Sequence, residues 1–274
     1  ANAILEAQSL VKGGFYSTNN LNANIKLIKD YYLSKGYVDV SVEGSINEKD
    51  DNTVIVNYTI NEGRQYKVRS VLFEGISGLS RDELKKLLTT KEKSFFDGGN
   101  FIASNMDADK SAIVNYYTTK GYPDAVITSS EVVPLDEEST DSTRYVNIVY
   151  TIDEGQLWTI GDITFSGNTI FSSDDISSLI TVTEGERYNS ERISGIYESI
   201  ASLYYDNGYV YSVVYPELKR EEGNRESNSF IITEGVQTKV EEIRINGLTK
   251  TKPYVLEREL AFKVGDVFSR SAFI

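Results

Sequence analysis

The 274-residue sequence contains neither cysteine nor histidine. Without cysteine there are no disulfides and no thiolate chemistry, although this absence leaves the compartment of the protein open. Without histidine as well, the chain lacks the side chains that most often bind transition metals or move protons near neutral pH. No cofactor-binding loop is present either, so we expect a protein that is not an enzyme, with no catalytic residue, no metal site and no cofactor.

Basic residues are also scarce relative to acidic ones. The chain has 28 Lys and Arg against 41 Asp and Glu, a formal net charge of −13. This balance argues against nucleic acid as a partner, because phosphate binding needs clustered basic side chains, and against a basic membrane-binding patch. No signal peptide and no apolar run of membrane-spanning length is found. If the protein belongs to a membrane assembly, we expect this chain to be its soluble portion.

A strand-turn-strand junction occurs three times in the chain. Each copy has an alternating apolar run, then Glu-Gly, then a second alternating run that ends in glycine, as in residues 144–170. The junction glycines Gly63, Gly155 and Gly235 are spaced 92 and 80 residues apart. Repeats of this length are large enough to have their own small cores. We expect these three glycines to adopt positive φ and to act as hinges that set the angle between repeats.

The elements between the junctions follow one plan. In the second repeat, strand Val68–Phe73 precedes a helix whose start, Ser80-Arg-Asp-Glu83, has capping-box spacing. A second helix, a strand at 124–133 and a final strand complete the order β-α-α-β-β. The first repeat lacks its opening strand and begins with a short apolar helix candidate at 4–11. The last contains only a strand at 240–245 and a helix at 254–262.

This plan predicts an α+β fold of tandem β-α-α-β-β repeats, each a three-stranded mixed sheet covered by two helices. We place the repeats at 1–64, 65–155, 156–236 and 237–274. The last two strands of a repeat form a hairpin, and the first strand pairs parallel with the last through a right-handed crossover.

The fourth element of each repeat is then left at an edge of its sheet. Edge strands have free N–H and C=O groups that either accept a strand from another chain or are simply covered by water or a neighbouring repeat. In the second repeat the predicted inward side chains are Ala125 and Ile127, with Val126 and Thr128 on the other face. The residues of this candidate binding edge are Ala125, Val126, Ile127, Thr128, Ser129, Ser130 and Glu131.

The motif Y-x-x-x-G-Y precedes this strand in the first three repeats, at Tyr32–Tyr37, Tyr117–Tyr122 and Tyr204–Tyr209. Together with the Glu-Gly pairs and the run TKTKPYVLERELAFKVGDVFSR at 249–270, this pattern resembles the POTRA repeats of BamA-type outer-membrane assembly proteins. The resemblance covers essentially the whole chain. It implies that the four segments correspond to the second to fifth POTRA repeats.

The resemblance also implies a function and partners. It describes a periplasmic scaffold, the soluble part of a bacterial outer-membrane protein, joined to a C-terminal membrane β-barrel of the same polypeptide. Such a scaffold binds unfolded outer-membrane β-barrel clients by strand addition and docks accessory assembly lipoproteins. The edge at Ala125–Glu131 matches the client-binding strand of the third POTRA, and Arg258 and Glu259 match the lipoprotein-contacting helix of the fifth. An alternative is a surface adhesive or ligand-binding repeat protein that uses the same modules as spacers.

Overall fold

The computed structural model describes residues 12–49 and 53–273, so the helix candidate at 4–11 lies outside the described residues. Within them the chain forms seven α-helices, a 3-10 turn at Asp136–Glu138 and eight strands. In chain order these helices and strands are α1 (Thr18–Ser34), β1 (Ser41–Glu48), β2 (Val54–Asn61), β3 (Gln65–Glu74), α2 (Arg81–Leu87), α3 (Ala103–Thr119), β4 (Val126–Pro134), β5 (Thr143–Asp153), β6 (Thr159–Ser166), α4 (Ser173–Ser177), α5 (Ser190–Asp206), β7 (Val213–Glu221), β8 (Arg225–Thr233), α6 (Pro253–Glu257) and α7 (Arg270–Phe273).

The first compact unit contains the described residues of 12–116 and 125–154. Strands β1 and β2 form an antiparallel pair with Ser41 opposite Asn61. Among the described residues this sheet has two strands, and the bounds of the first repeat stay a prediction. The next sheet has the order β3-β5-β4, with β3 parallel and β4 antiparallel to the central β5. This is the predicted mixed three-stranded sheet.

The second compact unit contains 117–124 and the described residues of 155–273. Its sheet has the order β6-β8-β7, again with the first strand parallel and the hairpin partner antiparallel to the central strand. The same topology therefore recurs one repeat later. The predicted α+β fold of tandem β-α-α-β-β repeats is confirmed.

A helical stripe closes the core of the second unit. Helix α5 begins at a capped end, because Asn189 Oδ1 accepts a hydrogen bond from Arg192 N at 3.0 Å. From there its apolar side chains recur every three or four residues, so that one face is buried against the sheet. Each such isoleucine contributes about 2 kcal/mol by burial. The helix residues of this core are Ile193, Ile196, Ile200 and Tyr204, and the sheet residues include Ile160, Phe230 and Ile232.

The core of the first unit has the same construction. Alternating residues of β3 and β5 are almost fully buried, including Val71, Phe73 and Ile148. Helix α2 starts at the predicted capping box, in which Ser80 and Glu83 exchange side-chain and backbone hydrogen bonds. The local sequence signals therefore agree with the observed helix start.

Two predictions for the last segment are wrong. Residues 240–245 do not form a strand, because a strand needs a neighbour for its hydrogen-bond ladder. Among the described residues of this segment only Lys239 forms a bridge, to Val267. The predicted helix at 254–262 is reduced to α6, Pro253–Glu257. Leu256 is 36% exposed. Because helical stability comes mostly from tertiary packing of an apolar face, so little burial does not support a longer helix.

Candidate functional site

Strand β4 occupies the edge of the β3-β5-β4 sheet. On its outer side, no strand from the described parts of the chain pairs with it. The N–H and C=O groups along that side are therefore available to water or to an added strand. Exposed Glu131 and Pro134 lie toward its far end, where charge and a missing N–H commonly limit edge-to-edge pairing.

The side chains at the start of β4 alternate as predicted. Ala125 is buried, Val126 is 49% exposed, Ile127 is partly buried and Thr128 is exposed. One boundary needs correction, because β4 begins at Val126 and Ala125 lies just before it. Ala125 thus contributes to the core and does not belong to the paired edge.

A β-bulge at Thr128 was not predicted. Ile127 and Ser129 pair with the adjacent β5 residues Ile152 and Thr151, so Thr128 has no register partner. Its hydroxyl instead donates to the Thr151 carbonyl at 3.2 Å. A bulge increases the local twist and reverses the order of inward and outward side chains beyond it. The two adjacent serines at 129–130, which break the apolar alternation, are the sequence signal for this change.

The junction glycines have the predicted backbone conformation. The φ angles of Gly63, Gly155 and Gly235 are +67°, +66° and +72°, a region that favours glycine. At Gly155 an added Cβ would also lie 3.1 Å from the Asp124 Cβ. Their role as hinges between repeats stays a prediction.

The glutamates before two of the junction glycines, Gly155 and Gly235, have a role that sequence reasoning missed. Glu154 accepts hydrogen bonds from the main-chain N–H groups of Ser77 and Gly78, each at 2.9 Å. Glu234 likewise accepts from Thr169 N at 2.7 Å and Ile170 N at 2.8 Å. In both repeats the glutamate therefore fastens the loop that follows the first strand. The recurrence of glutamate at this position was the signal that could have revealed it.

A second set of glycines, those of the Y-x-x-x-G-Y motifs, joins successive repeats. In each case the glycine carbonyl accepts a hydrogen bond from the main-chain N–H of a residue at the start of the next repeat. The three bonds are Tyr66 N to Gly36 O at 2.7 Å, Trp158 N to Gly121 O at 2.8 Å and Thr238 N to Gly208 O at 2.7 Å. This joint was not predicted from the sequence.

The joint at Trp158 also contains a charged cluster. The guanidinium of Arg220 lies 4.6 Å from the centre of the Trp158 ring, and its Nη1 lies 2.7 Å from Asp124 Oδ1. Arg220 Nε is 3.5 Å from the carboxylate of Glu226, which is fully buried. Burial raises the pKa of Glu226, while Tyr188 and Arg220 partly oppose that rise. We assign this cluster to holding the joint together.

Arg258 and Glu259 lie immediately after α6, in a turn, and not within the predicted longer helix. Arg258 Nε is 3.0 Å from Glu259 Oε1, and the two side chains are 73% and 68% exposed. An ion pair this exposed contributes little to stability. Both side chains are therefore accessible to a partner, at a position separate from β4 in sequence.

Across 12–49 and 53–273, no three acidic side chains converge in a way that could hold a metal ion. The helices of the same residues include none that is long and apolar enough to cross a bilayer.

Comparison with known proteins identifies the repeats. The family model for POTRA, described as a surface antigen variable number repeat, matches residues 2–63, 66–155, 158–235 and 238–274. The crystal structure of Haemophilus influenzae BamA POTRA3-5 superposes with a TM-score of 0.59 at 19% identity, over 77% of this chain and 83% of that one. That likeness supports the fold.

Curated relatives extend the likeness along nearly the whole chain. A protein of Treponema pallidum, named as an outer membrane protein assembly factor, is 33% identical over 267 residues, 96% of this chain and 31% of its own length. BamA of Neisseria meningitidis serogroup B is 24% identical over 93% of this chain and 32% of its own length. The chain thus spans about a third of these relatives. It belongs to the POTRA family and is similar to the POTRA region of BamA-type outer-membrane assembly factors.

Proposed function

We propose that the chain is the periplasmic scaffold of an outer-membrane β-barrel assembly factor, the soluble part of a bacterial outer-membrane protein. In this proposal the same polypeptide continues into a C-terminal membrane β-barrel, and the segments 1–64, 65–155, 156–236 and 237–274 are its second to fifth POTRA repeats. The clients are unfolded outer-membrane β-barrel proteins. Support comes from four family matches in series and from relatives named as assembly factors.

The open side of β4 is the observation that carries the client-binding part of the proposal. A client segment in extended conformation adds to this edge through main-chain hydrogen bonds. Each such bond contributes about 1 kcal/mol net. Because main-chain groups are common to every sequence, binding at the edge is weak and tolerant, as a scaffold for many different barrels requires.

The exposed pair Arg258 and Glu259 supports the docking part of the proposal. An accessory lipoprotein binds here by exchanging the internal ion pair for pairs of its own. Such exposed charges affect partner selection and association rate more than affinity. The contact then lies in the last segment, so that client strands and lipoprotein occupy different repeats.

The test of client binding is an NMR titration with an extended ten-residue peptide taken from a transmembrane barrel strand. Thr128→Pro is the informative variant, since Thr128 has no register partner in β5 and proline is tolerated at bulges. Thr128→Ala is the matched control, because it removes the same side chain and keeps the N–H.

In the wild type we expect shift changes clustered on 126–134, with similar binding by Thr128→Ala and clearly weaker binding by Thr128→Pro. Two further versions of the peptide carry N-methyl groups at alternate positions, one at the odd and one at the even residues. Only the version that keeps free the N–H groups facing β4 should bind. Shift changes outside β4, or equal binding by both threonine variants, would remove this edge as the client site.

A further inference from the structure

One loop of the second repeat differs from its counterparts. In the third repeat, adjacent residues bind the first strand on both sides of Ile160: Gly185 N donates to Ile160 O, and Ile160 N donates to Glu186 O, each at 2.8 Å. The last segment repeats this arrangement, with Gly265 and Asp266 around Val240. No residue intervenes between the two binding positions in either case.

In the second repeat the same two bonds to Val68 come from residues that are not adjacent. Lys93 N donates to Val68 O at 2.8 Å, and Val68 N donates to Gly99 O at 2.7 Å. The segment Ser94–Gly98 is therefore an insertion that the two hydrogen bonds to Val68 do not require. At its tip Phe95 and Phe96 are each 96% exposed.

The inserted loop has a fixed shape. Ser94 N donates to Asp97 O at 2.9 Å, Asp97 N donates to Ser94 Oγ at 3.1 Å, and Gly99 N donates to Asp97 Oδ1 at 2.8 Å. The rings of Phe95 and Phe96 meet edge to face, with centroids 5.2 Å apart. The turn thus holds two large apolar side chains in water, where their hydration is unfavourable. Exposed apolar groups of this kind commonly mark a binding site.

We propose that this Phe95–Phe96 tip binds aromatic and apolar side chains of unfolded barrel clients. The inference rests on the proposed function, since transmembrane barrel strands have alternate apolar residues and aromatic girdles. A convex tip cannot enclose a ligand, whereas an unfolded chain can wrap around it. Because the tip is preorganised, little conformational entropy is lost on binding.

A membrane surface is the competing partner, and the charges disfavour it. The chain carries a net charge of −13, whereas stable attachment by a small apolar anchor needs a second signal such as a basic patch. One of the chain's acidic residues, Asp97, directly follows Phe96 in the loop.

The tip stands at the end of the sheet where β4 finishes. Lys93, at the base of the loop, lies with its Nζ 4.6 Å from the centre of the Tyr145 ring. The carbonyl of Tyr145 accepts a hydrogen bond from Leu135 N at 2.8 Å, directly after Pro134. The loop base pairs with β3, on the opposite side of the sheet from β4, so it lies about 14 Å, three strand spacings, from the end of β4. A client strand on β4 leaves the sheet at the end where the tip can hold its next residues.

The experiment compares two peptides on the intact chain by NMR titration. One is a barrel-strand peptide extended by six residues, about 20 Å, with alternating Phe and Tyr, and the other has those aromatics replaced by alanine. We expect shift changes at 94–97 with the aromatic peptide only. The double variant Phe95→Ser, Phe96→Ser should bind the aromatic peptide roughly tenfold more weakly and the alanine peptide unchanged. Phe15→Ser is the matched control, because Phe15 is also 96% exposed.

Each other outcome identifies which proposal fails. Shifts on β4 without any at 94–97, or unchanged affinity in the double variant, overturn the tip as a client site and leave strand addition intact. Absence of binding by either peptide overturns both proposals. Cosedimentation of the wild type, but not the double variant, with phosphatidylcholine vesicles, together with no peptide shifts at the tip, assigns the tip to a membrane instead.

Discussion

Glu234→Gln is the substitution that most sharply tests the glutamate clamp. Burial of Glu234 disfavours its charge, but hydrogen bonds from Thr169, Ile170 and Tyr204 outweigh that effect and lower the pKa of Glu234 from 4.5 to about 2. A folded-state pKa below the unfolded value stabilises the fold above pH 4.5. This contribution is lost as the pH falls toward 2.

The full pKa difference corresponds to about 3 kcal/mol. Glu234 is partly exposed, so solvent screening reduces the expected loss in Glu234→Gln to about 1–2 kcal/mol at pH 7. At pH 3 more than half of the stability difference between the wild type and Glu234→Gln should be lost. At that pH the glutamate is protonated in the unfolded state and still largely ionised in the folded state, so unfolding is favoured by proton uptake.

The assay is urea unfolding followed by tryptophan fluorescence at pH 7 and pH 3. Trp158 is the single tryptophan and is buried in the second unit, which also contains Glu234. Glu241→Gln, at an exposed acid, supplies the same change in net charge as a control. Equal stability of Glu234→Gln and wild type at pH 7, or a stability gap that does not shrink at pH 3, would refute the clamp.

Three further predictions concern other parts of the chain. Arg220→Met leaves the buried carboxylate of Glu226 without its cation, so it should destabilise the second unit by about 2 kcal/mol in circular-dichroism melts. The double variant Arg220→Met, Glu226→Gln should recover this stability, and no recovery would contradict the pairing. Residues 240–245, which lack a ladder, should exchange amide protons faster than strand residues 68–73, and slower exchange would contradict this. Glu259→Lys in the full-length protein should reduce lipoprotein co-purification without unfolding, and unchanged co-purification would exclude this site.

Local signals predicted most of the fold. The capping box at Ser80 and Glu83 and the apolar stripe of α5 involve neighbours in sequence, so they could be interpreted without a structure. The bulge at Thr128 and the clamp between Glu154 and Ser77 depend on residues brought together by the sheet. At 240–245 the local pattern predicted a strand, but the missing ladder partner prevailed over propensity.

The candidate edge was predictable because topology determines it. Once the first strand pairs with the last, the fourth element of a repeat has one open side. The sequence indicates a phenylalanine- and glycine-rich insertion at 95–101, and the hydrogen bonds around Val68 define its bounds as Ser94–Gly98. The exposure of its phenylalanines depends on the three-dimensional fold.

The most direct test of client binding at β4 is site-specific photocrosslinking in cells that make the full-length protein. A photoreactive residue at Ser129, on the edge strand, should crosslink to unfolded outer-membrane barrel proteins during their synthesis. The same residue at exposed Ser111 of α3 is the control. The account predicts barrel crosslinks from position 129 that exceed those from position 111. Equal yields at the two positions, or none at 129, would contradict strand addition at this edge.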